Sequence, residues 1–272
     1  MITRSDYIMN RFKLSIVMSG TVVIWFIHSL ISPVYAQDMW DNVNDHPGAL
    51  SRENLDKKRP APPVDLTGTW LIDFGTWQFD PVPKLKPEYQ EMHEKAQQAY
   101  KEGKVYHGDI GLCWPPGVPI VMNRVWPIHF IQLPTSIVII ANFYNQVRWV
   151  YMDGREHTDP DLYVPSYNGE SIGRWEGSSL IIDTRNFETK KHWVRDGVPI
   201  SDKFHVIEKI SLSEDGQTME IEYTMTDPEI WEGEWLSKKI YHRKDAVDFV
   251  EVHCLPDLNE GIISTWEEYR VE

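Results

Sequence analysis

A chain of 272 residues with 41 Asp and Glu against 27 Lys and Arg carries a formal charge of −14 at pH 7. So acidic a chain is a poor partner for a polyanion, which argues against nucleic-acid binding. No Cys pair has zinc spacing, and His93-Glu94 opens an H-E-x-x motif in which Gln97 stands where the second His belongs. Neither a Gly-rich phosphate loop nor a dinucleotide fingerprint occurs, so no metal and no organic cofactor is expected.

At the N-terminus, Arg11 and Lys13 precede a mostly apolar run from Leu14 to Ile31 that closes with Ser32-Pro33-Val34-Tyr35-Ala36. Residues 1–36 read as a signal peptide cut after Ala36. An uncleaved anchor competes with that reading, because the run is long for a signal and carries His28. Nothing downstream approaches 18 apolar residues, so a periplasmic or secreted domain free of the membrane after cleavage is expected. Cleavage removes three basic and one acidic side chain, moving the balance from −14 to −16. In an oxidising compartment a single disulfide between Cys113 and Cys254 is favoured over two buried thiols.

Residues 37–64 are irregular and end in Arg59-Pro60-Ala61-Pro62-Pro63, a surface strap rather than core. The domain proper is expected over 65–272. Leu66-Thr67-Gly68-Thr69-Trp70-Leu71-Ile72 reads as a first strand. Residues 87–103, PEYQEMHEKAQQAYKEG, form the one convincing helix, with Pro87 at its start and Gly103 at its end. Its few apolar positions place it on the surface. From about 119 onward, runs of Val, Ile, Trp, Tyr and Thr alternate with turns. SIVIIANF (136–143) and QVRWVYM (146–152) make one pair, HVIEKISL (205–212) and TMEIEYTM (218–225) a second, EWLSKKIYHR (234–243) and AVDFVEVHC (246–254) a third. The pattern predicts a mostly β fold: one antiparallel β-barrel of about ten strands with one surface helix near 87–103, or alternatively a β-sandwich. Strands do not alternate with helices, which disfavours a parallel α/β sheet.

Gly169-Glu170-Ser171-Ile172-Gly173 matches G-x-S-x-G literally. A nucleophile elbow needs a buried strand before the Ser and a helix after it. Here a loop precedes Ser171 and a hairpin turn follows, so Ser171 is not expected to be a nucleophile. If Trp175 pairs with Leu180, then Glu170, Ile172, Arg174, Ile181 and Asp183 share one face of the hairpin. Arg174 and Asp183 become diagonal neighbours able to pair. Facing outward they form a solvated ion pair; facing a barrel interior they line a cavity.

Glu208 interrupts the apolar series Phe204, Val206, Ile210 and Leu212. A carboxylate facing a core must be paired or protonated, so it is either an internal salt bridge or an acid/base group. His205 lies on the opposite face of that strand. Asp153, Arg155, Glu156 and His157 follow a strand end, where loops commonly carry function. Glu208, Asp153, Glu170 and His205 are the candidate proton-exchanging groups. Arg174 and Arg155 are candidates to steady an anion, with Asp183 beside them. Among many aromatics, Trp149, Tyr151 and Trp175 are candidates to line a cavity for a flat apolar ligand.

Several segments carry a resemblance: Leu112-Cys113-Trp114-Pro115-Pro116-Gly117-Val118-Pro119, Asp153-Gly154-Arg155, Ser171-Ile172-Gly173-Arg174-Trp175-Glu176-Gly177, Ile182-Asp183-Thr184, and Ser201-Asp202 with His205 and Glu208. They resemble the CLPPGVP, DGR, S-x-GRWEGDTLVVDT and HSDxLHVxERF motifs of a family of secreted, mostly uncharacterised bacterial proteins. The resemblance covers roughly 66–256 and implies no activity. It aligns the family's last Cys with Cys254, which supports the disulfide. That family usually has Asp or His at the Glu170 position and an acidic residue at Ser178, where this chain differs. Gly68-Thr69-Trp70 resembles the G-x-W opening strand of lipocalin-like barrels.

Two functions are expected from these residues. One is a cofactor-independent acid/base enzyme such as a lyase, hydratase or isomerase. The other is a non-catalytic carrier or sensor of a small hydrophobic ligand. An enzyme requires at least three of the charged candidates within hydrogen-bonding reach of one cavity.

Overall fold

In TMEIEYTMT every second residue is buried, namely Met219, Ile221, Tyr223 and Met225, while the residues between them stay at least partly exposed. That period of two recurs in most of the strands and puts one face of each on a common core. The computed structural model describes residues 47–103 and 113–255. The chain divides into two compact units, Met1–Gly48 and Ala49–Glu272, and the barrel belongs to the second. The expected signal peptide and the last residues, 256–272, lie outside the described residues.

In chain order the elements are α1 (Arg52–Leu55), β1 (Gly68–Ile72), α2 (Pro87–Lys101), β2 (Ile128–Gln132), β3 (Ser136–Ala141), β4 (Gln146–Tyr151), β5 (Glu170–Glu176), β6 (Ser179–Arg185), β7 (Trp193–Arg195), β8 (Val198–Pro199), β9 (His205–Leu212), β10 (Thr218–Thr226) and β11 (Trp235–Arg243). Nine strands close into a barrel in the order β1-β11-β10-β9-β6-β5-β4-β3-β2, and β7 with β8 forms a separate two-stranded ribbon. Among the described residues the mostly β barrel with one substantial helix is therefore observed, and the sandwich is not. Neighbours run antiparallel except β4 and β5, which are parallel and share only the pairs Val150 with Ser171 and Tyr151 with Ile172.

Register fixes what points inward. Trp175 opposes Leu180, Gly173 opposes Ile182 and Ser171 opposes Thr184. Ile182 in turn opposes Glu208, and Glu208 opposes Tyr223. The interior is filled by large side chains including Trp70, Phe130, Tyr223, Trp235 and Tyr241, all essentially inaccessible. Each such apolar side chain contributes about 1.5–3 kcal/mol by leaving water. Lys239 is also buried there. It donates to the Gln78 carbonyl and to Ser237 Oγ at 3.0 Å, with its Nζ 4.0 Å from the Phe79 ring centre. Burial pushes its amine pKa down to about 7.

The helix starts at Pro87 as the sequence predicts and ends at Lys101, two residues short of the expected end. It buries Met92, Ala96 and Ala99. One strand expectation fails. Residues 246–254 form no strand, because both edges of β11 are already taken by β10 and β1. The segment instead runs along the outside. Thr69 Oγ1 donates to the Val247 carbonyl at 3.0 Å, and Asn145 exchanges two 2.9 Å bonds with the Val252 backbone. It ends at a Cys113–Cys254 disulfide with Cα atoms 5.5 Å apart. Among the described residues no helix is long and apolar enough to cross a membrane.

Candidate functional site

Three polar places hold the residues singled out from the sequence. The first is inside the barrel. Glu208 receives both terminal nitrogens of Arg148, Nη1 at 3.0 Å and Nη2 closer still. Arg148 also donates Nε to Ser171 Oγ at 3.1 Å and Nη2 to Thr184 Oγ1 at 2.9 Å, and the two hydroxyls are 3.0 Å apart. All four side chains are buried. A fork of two parallel bonds is the strongest geometry available to a carboxylate and a guanidinium. With each carboxylate oxygen engaged by Arg148 and the side chain fully buried, Glu208 is an internal tie. Ser171, the serine of the G-x-S-x-G match, is a member of that tie.

The second place is the outer wall. Glu170, Asp183 and His205 do come together there, around His157. The loop after β4 brings His157 Nδ1 to Glu170 Oε2 at 3.1 Å and its Nε2 to Asp183 Oδ1 at 3.0 Å. His205 Nε2 reaches the same Asp183 oxygen at 2.9 Å, and Arg185 Nε donates to it at 3.0 Å. Glu170 accepts from Thr158 N, Thr158 Oγ1 and Asn186 Nδ2 at 2.9, 2.7 and 3.1 Å. Gly169, at φ +64°, leads into β5 so close to this wall that a Cβ would sit 2.6 Å from the Arg185 carbonyl. Burial alone lowers the His157 pKa, but its bonds to Asp183 and Glu170 outweigh burial and raise it to about 9. Burial raises both carboxyls, yet the same bonds hold Glu170 and Asp183 below their usual range. The imidazolium is thus a charged rivet fastening the loop to β5 and β6. Its raised pKa adds stability that is complete below about pH 6.5 and lost as pH rises through about 9. The lowered carboxyls add stability that is lost as pH falls below about 4.5. Lys239 opposes the alkaline loss, since its lowered pKa makes the fold gain stability above pH 7. The difference in unfolding free energy between wild type and His157→Gln isolates the rivet. Measured by urea titration from pH 5 to 9, that difference is expected to be largest near pH 5–6.5 and to shrink toward pH 9. A difference independent of pH would show that folding does not raise the His157 pKa.

The third place is a cleft at one mouth of the barrel, with a volume of about 1010 Å³. The strap forms one wall, with Lys57, Arg59 and Pro60 to Val64, and Ile137, Met152 and Trp175 line the barrel side. Gly173 keeps this part of the interior open to Met152, because a Cβ there would sit 2.3 Å from the Met152 sulfur. Leu133, Pro134 and Asp153 contribute to the lining. Asp153 is already engaged. It accepts Arg155 Nε at 2.9 Å and Nη2 at 2.6 Å, and Asn54 Nδ2 at 2.7 Å. Burial raises its pKa, but these donors outweigh burial and lower it to about 2. Arg155 in turn lies over the Tyr151 ring at 3.9 Å.

Of the expected site residues, then, only Asp153 and Trp175 line the cleft. Arg174 faces outward as the hairpin register requires, but it pairs with Glu176 at 2.7 Å, so the expected Arg174–Asp183 pair does not form. The shorter reach of Glu176 on the same strand satisfies Arg174, while His157, His205 and Arg185 saturate Asp183. Strand alternation sets Trp149 and Tyr151 opposite in sense to the inward Arg148 and Val150, so both lie on the outer wall. Arg148 was not singled out from the sequence. Its signal is an inward parity shared with Val150, masked because Val147, Trp149 and Tyr151 are equally apolar on the other face. Asn54 was missed because nothing marks it within an irregular strap. Among the described residues no group of His, Cys, Asp and Glu is arranged to hold a metal. No family model matches the chain, and no curated protein matches it.

Proposed function

We propose that this barrel binds a small, flat, apolar molecule in the cleft beneath the strap, and that it carries or senses this molecule rather than transforming it. The observation behind the reading is the cleft itself. Its volume of about 1010 Å³ matches the upper end of small-molecule sites, roughly 300–1,000 Å³. Trp175, Met152, Ile137, Leu133 and the prolines offer the largely apolar wall such ligands need. An acid/base enzyme needs several free proton-exchanging groups at one place. Asp153 is the one candidate of that kind at the cleft, and it is held as a carboxylate by Arg155 and Asn54. The disulfide, with the signal-like pattern of residues 1–36, supports a location outside the cytoplasm.

The test is a fluorescence titration with N-phenyl-1-naphthylamine, a neutral aromatic probe. Wild type is expected to bind it saturably. Trp175→Ala should weaken binding about tenfold, equivalent to about 1.4 kcal/mol, and Ile137→Trp, which fills the cleft, should abolish it. Absence of saturable binding by wild type, or binding indifferent to Ile137→Trp, would sink the reading.

A further inference from the structure

Thr135 Oγ1 donates to the Ala49 carbonyl at 2.6 Å at the strap's start, and the part over the cleft is fastened at its two ends by ties of different character. At its far end, Gln132 on β2 holds it as a strand would: Leu66 N donates to Gln132 Oε1 at 3.1 Å and Gln132 Nε2 donates to the Val64 carbonyl at 3.2 Å. At its near end the hold passes through the side chain of Asn54, in the one-turn helix α1. Asn54 Nδ2 donates to Asp153 Oδ2 at 2.7 Å, and Arg59 reaches back to Asn54 Oδ1 and, at 2.6 Å, to the Asn54 carbonyl. Asn54 is 4 % exposed although it sits on a short surface helix. Between these points run Pro60-Ala61-Pro62-Pro63, all exposed along one side while lining the cleft on the other. Proline fixes φ, so three prolines in four residues make a stiff bar rather than a slack loop. A stiff bar tied at both ends moves as a unit when one tie is cut. It pivots on the end that remains.

We infer that the strap is a gate to the cleft, that Asn54 is its latch on Asp153, and that Gln132 marks its hinge. The inference rests on the cleft being the ligand site. In the closed state Asp153 is covered by three donors from Arg155 and Asn54, so its own charge is offset where it meets the cleft. Opening widens access to the apolar wall of Ile137, Met152 and Trp175, of which Ile137 is buried with the strap in place, and so speeds ligand entry and exit. Asn54 does not itself line the cleft. It is a positioning residue.

Two variants and two readouts test this. Asn54→Ala removes the latch, and Asn54→Asp sets a second carboxylate against Asp153 at nearly unchanged size. The first readout needs no ligand. Hydrogen exchange followed by mass spectrometry is expected to accelerate about tenfold or more across residues 57–65 in both variants, with the barrel strands unchanged. The second is stopped-flow with N-phenyl-1-naphthylamine, in which association and dissociation rates should rise together, by about tenfold, leaving Kd within about threefold of wild type. Acceleration confined to residues 51–56, or exchange that spreads into the strands, overturns the gate. So do unchanged probe rates in a variant whose strap exchanges faster. If wild type fails to bind the probe while the strap exchanges as expected, the cleft reading falls and the gate's role falls with it, but the latch on Asp153 is still demonstrated.

Discussion

Glu208→Gln is expected to destabilise the protein by about 3–5 kcal/mol, a fall in Tm of roughly 6–20 °C. The change is isosteric and leaves the barrel's shape alone. It strips the charge that Arg148 faces while Arg148 stays 2 % exposed, with Ser171 and Thr184 as its other partners. A guanidinium so enclosed and unpaired carries the full cost of its lost hydration. Arg148→Met is expected to cost a similar amount by stranding the carboxylate. The double variant Arg148→Met with Glu208→Leu should lose far less than the two single changes summed, because no buried charge is left. Thermal unfolding of the four proteins at one pH checks all of this. Single variants that melt with wild type would mean the pair is not enclosed as described.

The second large effect concerns the disulfide. Cys113 and Cys254 are 141 residues apart in sequence, so the bond closes a loop containing all of the barrel except β1. Reduction, or the pair Cys113→Ala with Cys254→Ala, is expected to cost about 2–5 kcal/mol and to lower Tm by roughly 4–20 °C. Urea unfolding offers a second signature. Freed of the cross-link, the unfolded chain expands and exposes more surface, so the m-value should rise. Locally, loss of the bond loosens the outer segment 246–254, whose remaining ties include those to Thr69 and Asn145 and the Phe249 ring contact with His129. Equal Tm values with and without reductant would contradict the expectation, provided free thiols are confirmed by labelling.

How much of this was legible in the sequence differs from residue to residue. Periodicity carried the fold: TMEIEYTM shows its inward face directly, and the hairpin 170–185 has the register expected from pairing Trp175 with Leu180. The inward parity of Glu208 was equally readable, because its neighbours at that parity are uniformly apolar. Its partner was not, since Arg148 stands in a strand apolar on both faces. AVDFVEVHC has the composition of a strand and lacks only a vacant edge to join, a property of the closed barrel that no local window contains. Contacts between a loop and a distant strand were the least readable of all. Glu170 and His157 are 13 residues apart, yet only the path of the loop after β4 decides that they meet.

The single parallel contact in the barrel is a matter of parity. Walking once round a closed ring of strands, direction must return to its starting sense, and each antiparallel contact reverses it. Nine contacts cannot all be reversals. A nine-membered ring therefore contains an odd number of parallel contacts, and here the β4–β5 seam is the one that meets this requirement. The seam is short, with two backbone pairs where its neighbours have five or more. Side chains make up the deficit on both surfaces of the wall. Inside, Arg148 on β4 stitches to Ser171 on β5 and beyond it to Thr184 and Glu208. Outside, His157 in the crossover that the parallel step demands is riveted to Glu170 and Asp183. The two polar clusters that look most like chemistry in the sequence lie back to back on the same seam, where an odd ring must be sewn shut.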